Sequence, residues 1–104
     1  MKEIAKKIIQ EELHKRGVEV KKIILFGSRA RGDYDKNSDW DFFVIIDKTL
    51  NRDEKWEIIL EIKRKLAKLK IPNDIFIKSL KEVKDEQYDV GYLTYYALKE
   101  GIEI

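Results

Sequence analysis

The chain has no cysteine, and only one proline, one histidine and one methionine among its 104 residues. Without cysteine there is no disulfide, no thiolate metal site and no thiol nucleophile. The lone histidine, His14, has no second imidazole with which to form a transition-metal centre. It falls on a lysine-rich helix face, where a solvated side chain is expected. No apolar stretch approaches the ~20 residues of a membrane span, and the N-terminus lacks the apolar core of a signal peptide. No membrane association and a cytoplasmic location are therefore expected. An excess of one charge is also missing, since 22 basic against 20 acidic residues leave a net charge of +2. That balance does not supply the strongly basic face of a nucleic-acid binder, so direct nucleic-acid binding is not expected.

Hydrophobic residues make up 43% of the chain and charged residues 40%, enough apolar material for a core despite the charge. The length suits one domain spanning 1–104. Ile4, Ile8, Ile9 and Leu13 recur at helical spacing over 2–16, with Gly17 as the stop. Ile23 to Phe26 reads as a short buried strand ended by Gly27, and 28–31 as one helical turn closed by Gly32. Trp40 to Ile46, apolar on both faces beyond Asp41, reads as a central strand. Asn51 with Glu54 caps a long helix running to about Leu69, with Trp56, Ile59, Leu60, Leu66 and Leu69 as its inward stripe and Lys63 at the edge of that stripe. Pro72 and Asn73 turn the chain into a third strand at 74–77. Ser79 with Glu82 caps a short helix, and 90–99 reads as a last helix stopped by Gly101. The expected fold class is α/β (α+β), a small mixed sheet packed with helices.

Chemistry concentrates in 26–44. Asp39 and Asp41 stand two apart at the head of an apolar strand, so both carboxylates share one face while Trp40 and Phe42 take the other. Like charges that close repel unless a cation lies between them, and hard divalent ions prefer such oxygens. The competing reading is a pair of solvated carboxylates at an exposed strand end. Asp74, opening the third strand, would join them if the two strands are neighbours; Asp85 and Asp89 are alternatives for that third place. Three carboxylates at one end of a sheet match two-metal phosphoryl or nucleotidyl transfer. Gly27 lets the backbone approach a ligand closely, and Ser28 adds a hydroxyl, a pairing that suits phosphate but is also common turn chemistry. Arg29 and Arg31 suit a triphosphate, a partner's acidic groups or a solvated edge. Tyr88, Tyr92, Tyr95 and Tyr96 gather near the last helix, where core packing is expected ahead of a partner surface.

Gly27-Ser28, the Arg-Ala-Arg-Gly after it, Ser38-Asp39-Trp40-Asp41 ten residues beyond Ser28, and Asp74 together resemble the minimal nucleotidyltransferase (MNT) domains of the DNA polymerase β-like superfamily. The resemblance spans nearly the whole chain, including its Leu-Lys-Glu-Gly-Ile-Glu-Ile ending. It implies a palm-like core in which Gly27 and Ser28, with Arg29 and Arg31, hold the phosphates of ATP or another NTP. It also implies that Asp39, Asp41 and Asp74 are catalytic and bind Mg²⁺, two ions in all, with Mn²⁺ as a substitute. The implied reaction moves a nucleoside monophosphate, AMP in the first instance, onto a hydroxyl and releases pyrophosphate. Family members of this length often accompany a HEPN-domain protein as its antitoxin, some by adding AMP to a tyrosine of the toxin. The alternative is a non-catalytic antitoxin that neutralises its partner by complex formation, and self-association is left open. No separate domain for holding an acceptor follows the core, so the acceptor is expected to arrive with a partner.

Overall fold

A computed structural model describes residues 1–89 and 91–104, which form five helices and four strands. In chain order these are α1 (Lys2–His14), β1 (Val20–Phe26), α2 (Ser28–Arg31), β2 (Trp40–Ile46), α3 (Arg52–Lys68), β3 (Asn73–Ser79), α4 (Leu80–Glu86), α5 (Leu93–Glu100) and β4 (Ile102–Glu103). The sheet runs β3-β2-β1-β4, with β2 and β3 parallel and the other pairings antiparallel. The mixed sheet packed with helices agrees with the expected fold class. Among the described residues no helix is long and apolar enough to cross a membrane.

The alternation of strand side chains sorts the sheet into two faces. Ile23, Leu25, Phe42, Val44, Ile75 and Ile77 turn to one side and pack with Ala5, Ile9 and Leu13 of α1 and Ile58, Ile62 and Leu66 of α3. Ile24, Phe26, Phe43 and Ile45 turn to the other side, where Val83 of α4, Ala97 of α5 and Phe76 complete a smaller cluster. Asp41 belongs to this second face by its alternation with Phe43 and Ile45. The carboxylates therefore open on the thinly covered side of the sheet.

Local signals held well. The Asn51 side chain accepts from the Glu54 amide at 2.8 Å, and Ser79 and Glu82 form a full reciprocal capping box. Gly17, Gly27 and Gly32 all take positive φ, at the end of α1 and on either side of α2. Four expectations need correction. The first concerns α3, whose buried row is Ile58, Ile62 and Leu66, whereas Trp56 is 61% exposed and Leu60 and Leu69 also face outward. The 58–62–66 row is uninterrupted at i, i+4, while the row through Trp56 and Leu60 runs into Arg64, so the helix turns its unbroken row inward.

The second correction concerns the tyrosines. Tyr88, Tyr92 and Tyr96 are exposed, because the short helices α4 and α5 meet the sheet through Val83 and Ala97. The third is the last helix, which starts at Leu93, not at 90; residue 90 itself lies outside the described residues. The fourth is β4, an unforeseen strand pairing Ile102 with Leu25 and Glu103 with Ile24. Gly101 precedes it for reasons of space, since a Cβ there would collide with the Ile24 side chain and the Ala97 carbonyl.

Candidate active site

The parallel ladder of β2 and β3 aligns Asp41 with Asp74, while on the other side Asp41 pairs with Phe26 at the end of β1. Parallel register partners direct their side chains to the same face, so the strand geometry brings these two carboxylates together. The ladder is prolonged past the strand start by Trp40 N–H donating to the Pro72 carbonyl at 2.9 Å. Asp39, exposed and just ahead of β2, lies at the same end of the sheet.

Asp41 carries the electrostatic imprint of this crowding. Burial pushes its carboxyl above the ordinary 3.8, and the charges of Asp74 and then Asp39 push it further; Arg31 and Lys63 pull the other way. Its neighbour across the strand end is Gly27, at φ 75 and ψ −159. A Cβ on residue 27 would strike Asp41 Oδ2, so a side chain here would collide with the carboxylate as well as strain the backbone. Ser28 then opens α2, and the first amides of a helical turn have no acceptor within it. The Gly27–Ser28 turn thus abuts Asp41.

The two arginines differ from each other. Arg29 lies over the rings of Tyr34 and Trp40, 4.4 and 4.5 Å from their centroids. Its Nε and Nη2 donate to the Ser38 carbonyl at 3.3 and 3.1 Å, and Nη2 also donates to the Lys36 carbonyl at 3.4 Å. These bonds staple the 33–38 loop, which is closed from within by Asn37 N–H donating to Asp35 Oδ1 at 2.7 Å. Arg29 therefore shapes the segment that delivers Asp39 and Trp40. Arg31 is exposed and pairs loosely with Asp33 at 3.4 Å and Glu100 at 3.8 Å, so its guanidinium is free to change partners.

One residue at the site was missed as a participant. Lys63 Nζ donates to the Asn73 carbonyl at 3.0 Å and pairs with Asp74 Oδ1 at 3.4 Å. The available signal was a lysine at the margin of an apolar helix stripe, since a charge so placed needs a partner. Among the described residues no three His, Cys, Asp or Glu are gathered closely enough to form a metal centre. The donor chemistry nonetheless fits a hard divalent ion. Asp41 and Asp74 bring carboxylate oxygens to one end of the sheet, where the Lys63 ammonium pairs with Asp74 as a counter-charge.

This mixed sheet, with paired aspartates beside a Gly-Ser turn, is the core of a nucleotidyltransferase. The chain belongs to the polymerase beta nucleotidyltransferase family, whose sequence profile matches residues 6–104. It is similar to the protein adenylyltransferase MntA of Aphanizomenon flos-aquae (strain 2012/KM1/D3), 32% identical over 76 residues that cover 73% of this chain and 45% of that protein. The match thus spans less than half the length of that relative. The fold is shared with crystal structures of a toxin–antitoxin pair. One is the MntA–HpeT complex carrying two aspartate-to-glutamate substitutions, with 22% identity, a TM-score of 0.60, and coverage of 95% of this chain and 70% of that one. Another is a toxin–antitoxin with AMP-PNP, with 22% identity, a TM-score of 0.62, and coverage of 93% and 69%.

Proposed function

We propose that this protein is a Mg²⁺-dependent adenylyltransferase that moves AMP from ATP onto a hydroxyl of a partner, a tyrosine of a HEPN-type toxin, and so acts as its antitoxin. The observation that carries this reading is Asp41 itself, held half-buried between the Gly27 turn and Asp74. In this reading the Gly27–Ser28 backbone and the Ser28 hydroxyl hold the triphosphate, and Arg31 is free to swing onto it. Asp39, Asp41 and Asp74 would hold the metal, Mg²⁺ or Mn²⁺, which when bound neutralises phosphate charge and lowers the pKa of the acceptor hydroxyl. The acceptor hydroxyl gives its proton to solvent as its oxygen bonds to the α-phosphorus, the bond to the bridging oxygen breaks, and pyrophosphate leaves. Asp74 lies on the outermost strand with its side chain about half exposed, at 49%, so the acceptor has an open approach on that side.

The partner reading draws support from the exposed Tyr88, Tyr92, Leu93 and Tyr96, apolar surface that a small domain does not ordinarily leave bare. The same surface favours the second reading, neutralisation by complex formation alone. Incubation with labelled ATP, Mg²⁺ or Mn²⁺ and a co-expressed HEPN partner separates the two. Transfer of label to the partner, abolished by Asp41→Asn and weakened less by Ser28→Ala, is the expected result. A partner that is bound and inactivated but never labelled, under either metal, would leave the complex-forming antitoxin as the function.

A further inference from the structure

Lys63 reaches the carboxylates from the far side of the sheet. It stands on α3, which packs on the face opposite Asp41, yet its ammonium comes round the outer strand to the start of β3. Among the described residues no strand lies beyond β3, so α3 is the element positioned to supply a counter-charge to Asp74 from that edge. Among the described residues Lys63 is the one basic side chain in an ion pair with Asp39, Asp41 or Asp74. The pair is partly solvated, with side chains 36% and 49% exposed, but the ammonium is anchored a second time by the Asn73 carbonyl at 3.0 Å.

We propose that Lys63 is a built-in counter-cation for Asp74, with which an incoming metal ion must compete, so that this lysine sets how readily the site loads. The proposal rests on the nucleotidyl-transfer reading for its purpose but makes its own physical claim. An ammonium beside Asp74 compensates part of the repulsion among the carboxylates, and the same positive charge opposes a divalent ion arriving a few ångströms away. The Asn73 carbonyl keeps Lys63 within reach when Asp74 turns to the metal. The pairing can therefore re-form once the metal leaves.

The test is Mn²⁺ binding to the full chain, followed by electron paramagnetic resonance without nucleotide or partner. Lys63→Met should bind Mn²⁺ roughly three- to tenfold more tightly than the unmodified protein, the scale of one unit charge acting through partly hydrated surroundings. Lys63→Gln retains a donor for the Asn73 carbonyl without the charge, and should tighten binding likewise even if the Met variant folds poorly. Lys63→Arg keeps the charge and should stay within about twofold of the unmodified protein. In an Asp74→Asn background the gain from Lys63→Met should shrink, because the competition runs through that carboxylate. Unchanged or weaker Mn²⁺ binding in both neutral variants, or no binding by any of them, overturns the proposal. Since no transfer is measured, failure to label a partner would count against the adenylyltransferase reading alone. Active transfer with unaltered Mn²⁺ binding in the neutral variants would count against the counter-cation alone.

Discussion

Replacing Asp41 by asparagine removes a charge that the folded chain keeps half-buried between two other carboxylates, and the metal-free protein should become more stable. The magnitude follows from the neighbours. Burial is the largest contribution to the raised pKa, followed by Asp74 and Asp39, while Arg31 and Lys63 offset part of it. Two unit charges ~5 Å apart repel by about 0.8 kcal/mol in water and several times that in partly buried surroundings. With the basic groups and solvent screening set against this, a net gain of about 1 kcal/mol is expected for Asp41→Asn. For a domain of this size that corresponds to a rise in melting temperature of about 4–8 °C.

The pH dependence supplies an internal control. A carboxyl raised in the folded state penalises folding only when ionised. The penalty is absent well below the ordinary 3.8, grows as pH rises from there to the raised folded-state pKa, and is complete above it. Thermal melts of both proteins in chelator should therefore diverge at pH 7 and converge as pH falls toward 3.8 and below. With millimolar Mg²⁺ and ATP the order should reverse, because ligand binding stabilises only the protein that can assemble the site. An Asn variant less stable than the parent without metal, or a difference that does not shrink on acidification, would refute the crowded-carboxylate reasoning and make Asp41 a structural cap.

The orientation of α3 predicts opposite outcomes for two large residues one turn and a half apart. Trp56→Ala should change stability by about 0.5 kcal/mol or less, whereas Ile62→Ala, at 0% exposure, should cost about 2–5 kcal/mol in urea unfolding. Between α1 and α3, the Glu12 carboxylate is buried and contacts Lys15 at 3.0 Å as well as Lys65, which donates a hydrogen bond to it. Burial alone would raise its pKa, but the two lysines outweigh that and hold it below the ordinary 4.5. Glu12→Gln should then cost about 2 kcal/mol at pH 7, and the difference from the parent should fade as pH drops through the folded-state pKa. A loss of equal size at pH 3 would show packing to be responsible in place of charge.

Much of this protein was legible residue by residue, wherever the decisive partners lie within a few positions of each other. The capping pairs Asn51–Glu54 and Ser79–Glu82, the positive-φ glycines around α2 and the span of β2 all depend on bonds or backbone angles internal to a short segment. The facing of Asp41 with Phe43 and Ile45 likewise follows from strand alternation alone. Tertiary structure decided what local pattern leaves degenerate. The apolar residues of α3 form a band wide enough for more than one inward face, and contact with α1 and the sheet selected Ile58, Ile62 and Leu66. The two residues of β4 have no pattern of their own and become a strand only because β1 offers an unpaired edge. The site shows the same division. Its aspartates stood out in the sequence, but the alignment of Asp74 with Asp41, the diversion of Arg29 into the 33–38 loop and the arrival of Lys63 from the opposite face each join segments far apart in the chain or depend on how they pack. Charges and hydrogen-bond donors announce that they need partners, and only the packed chain determines which partners they find.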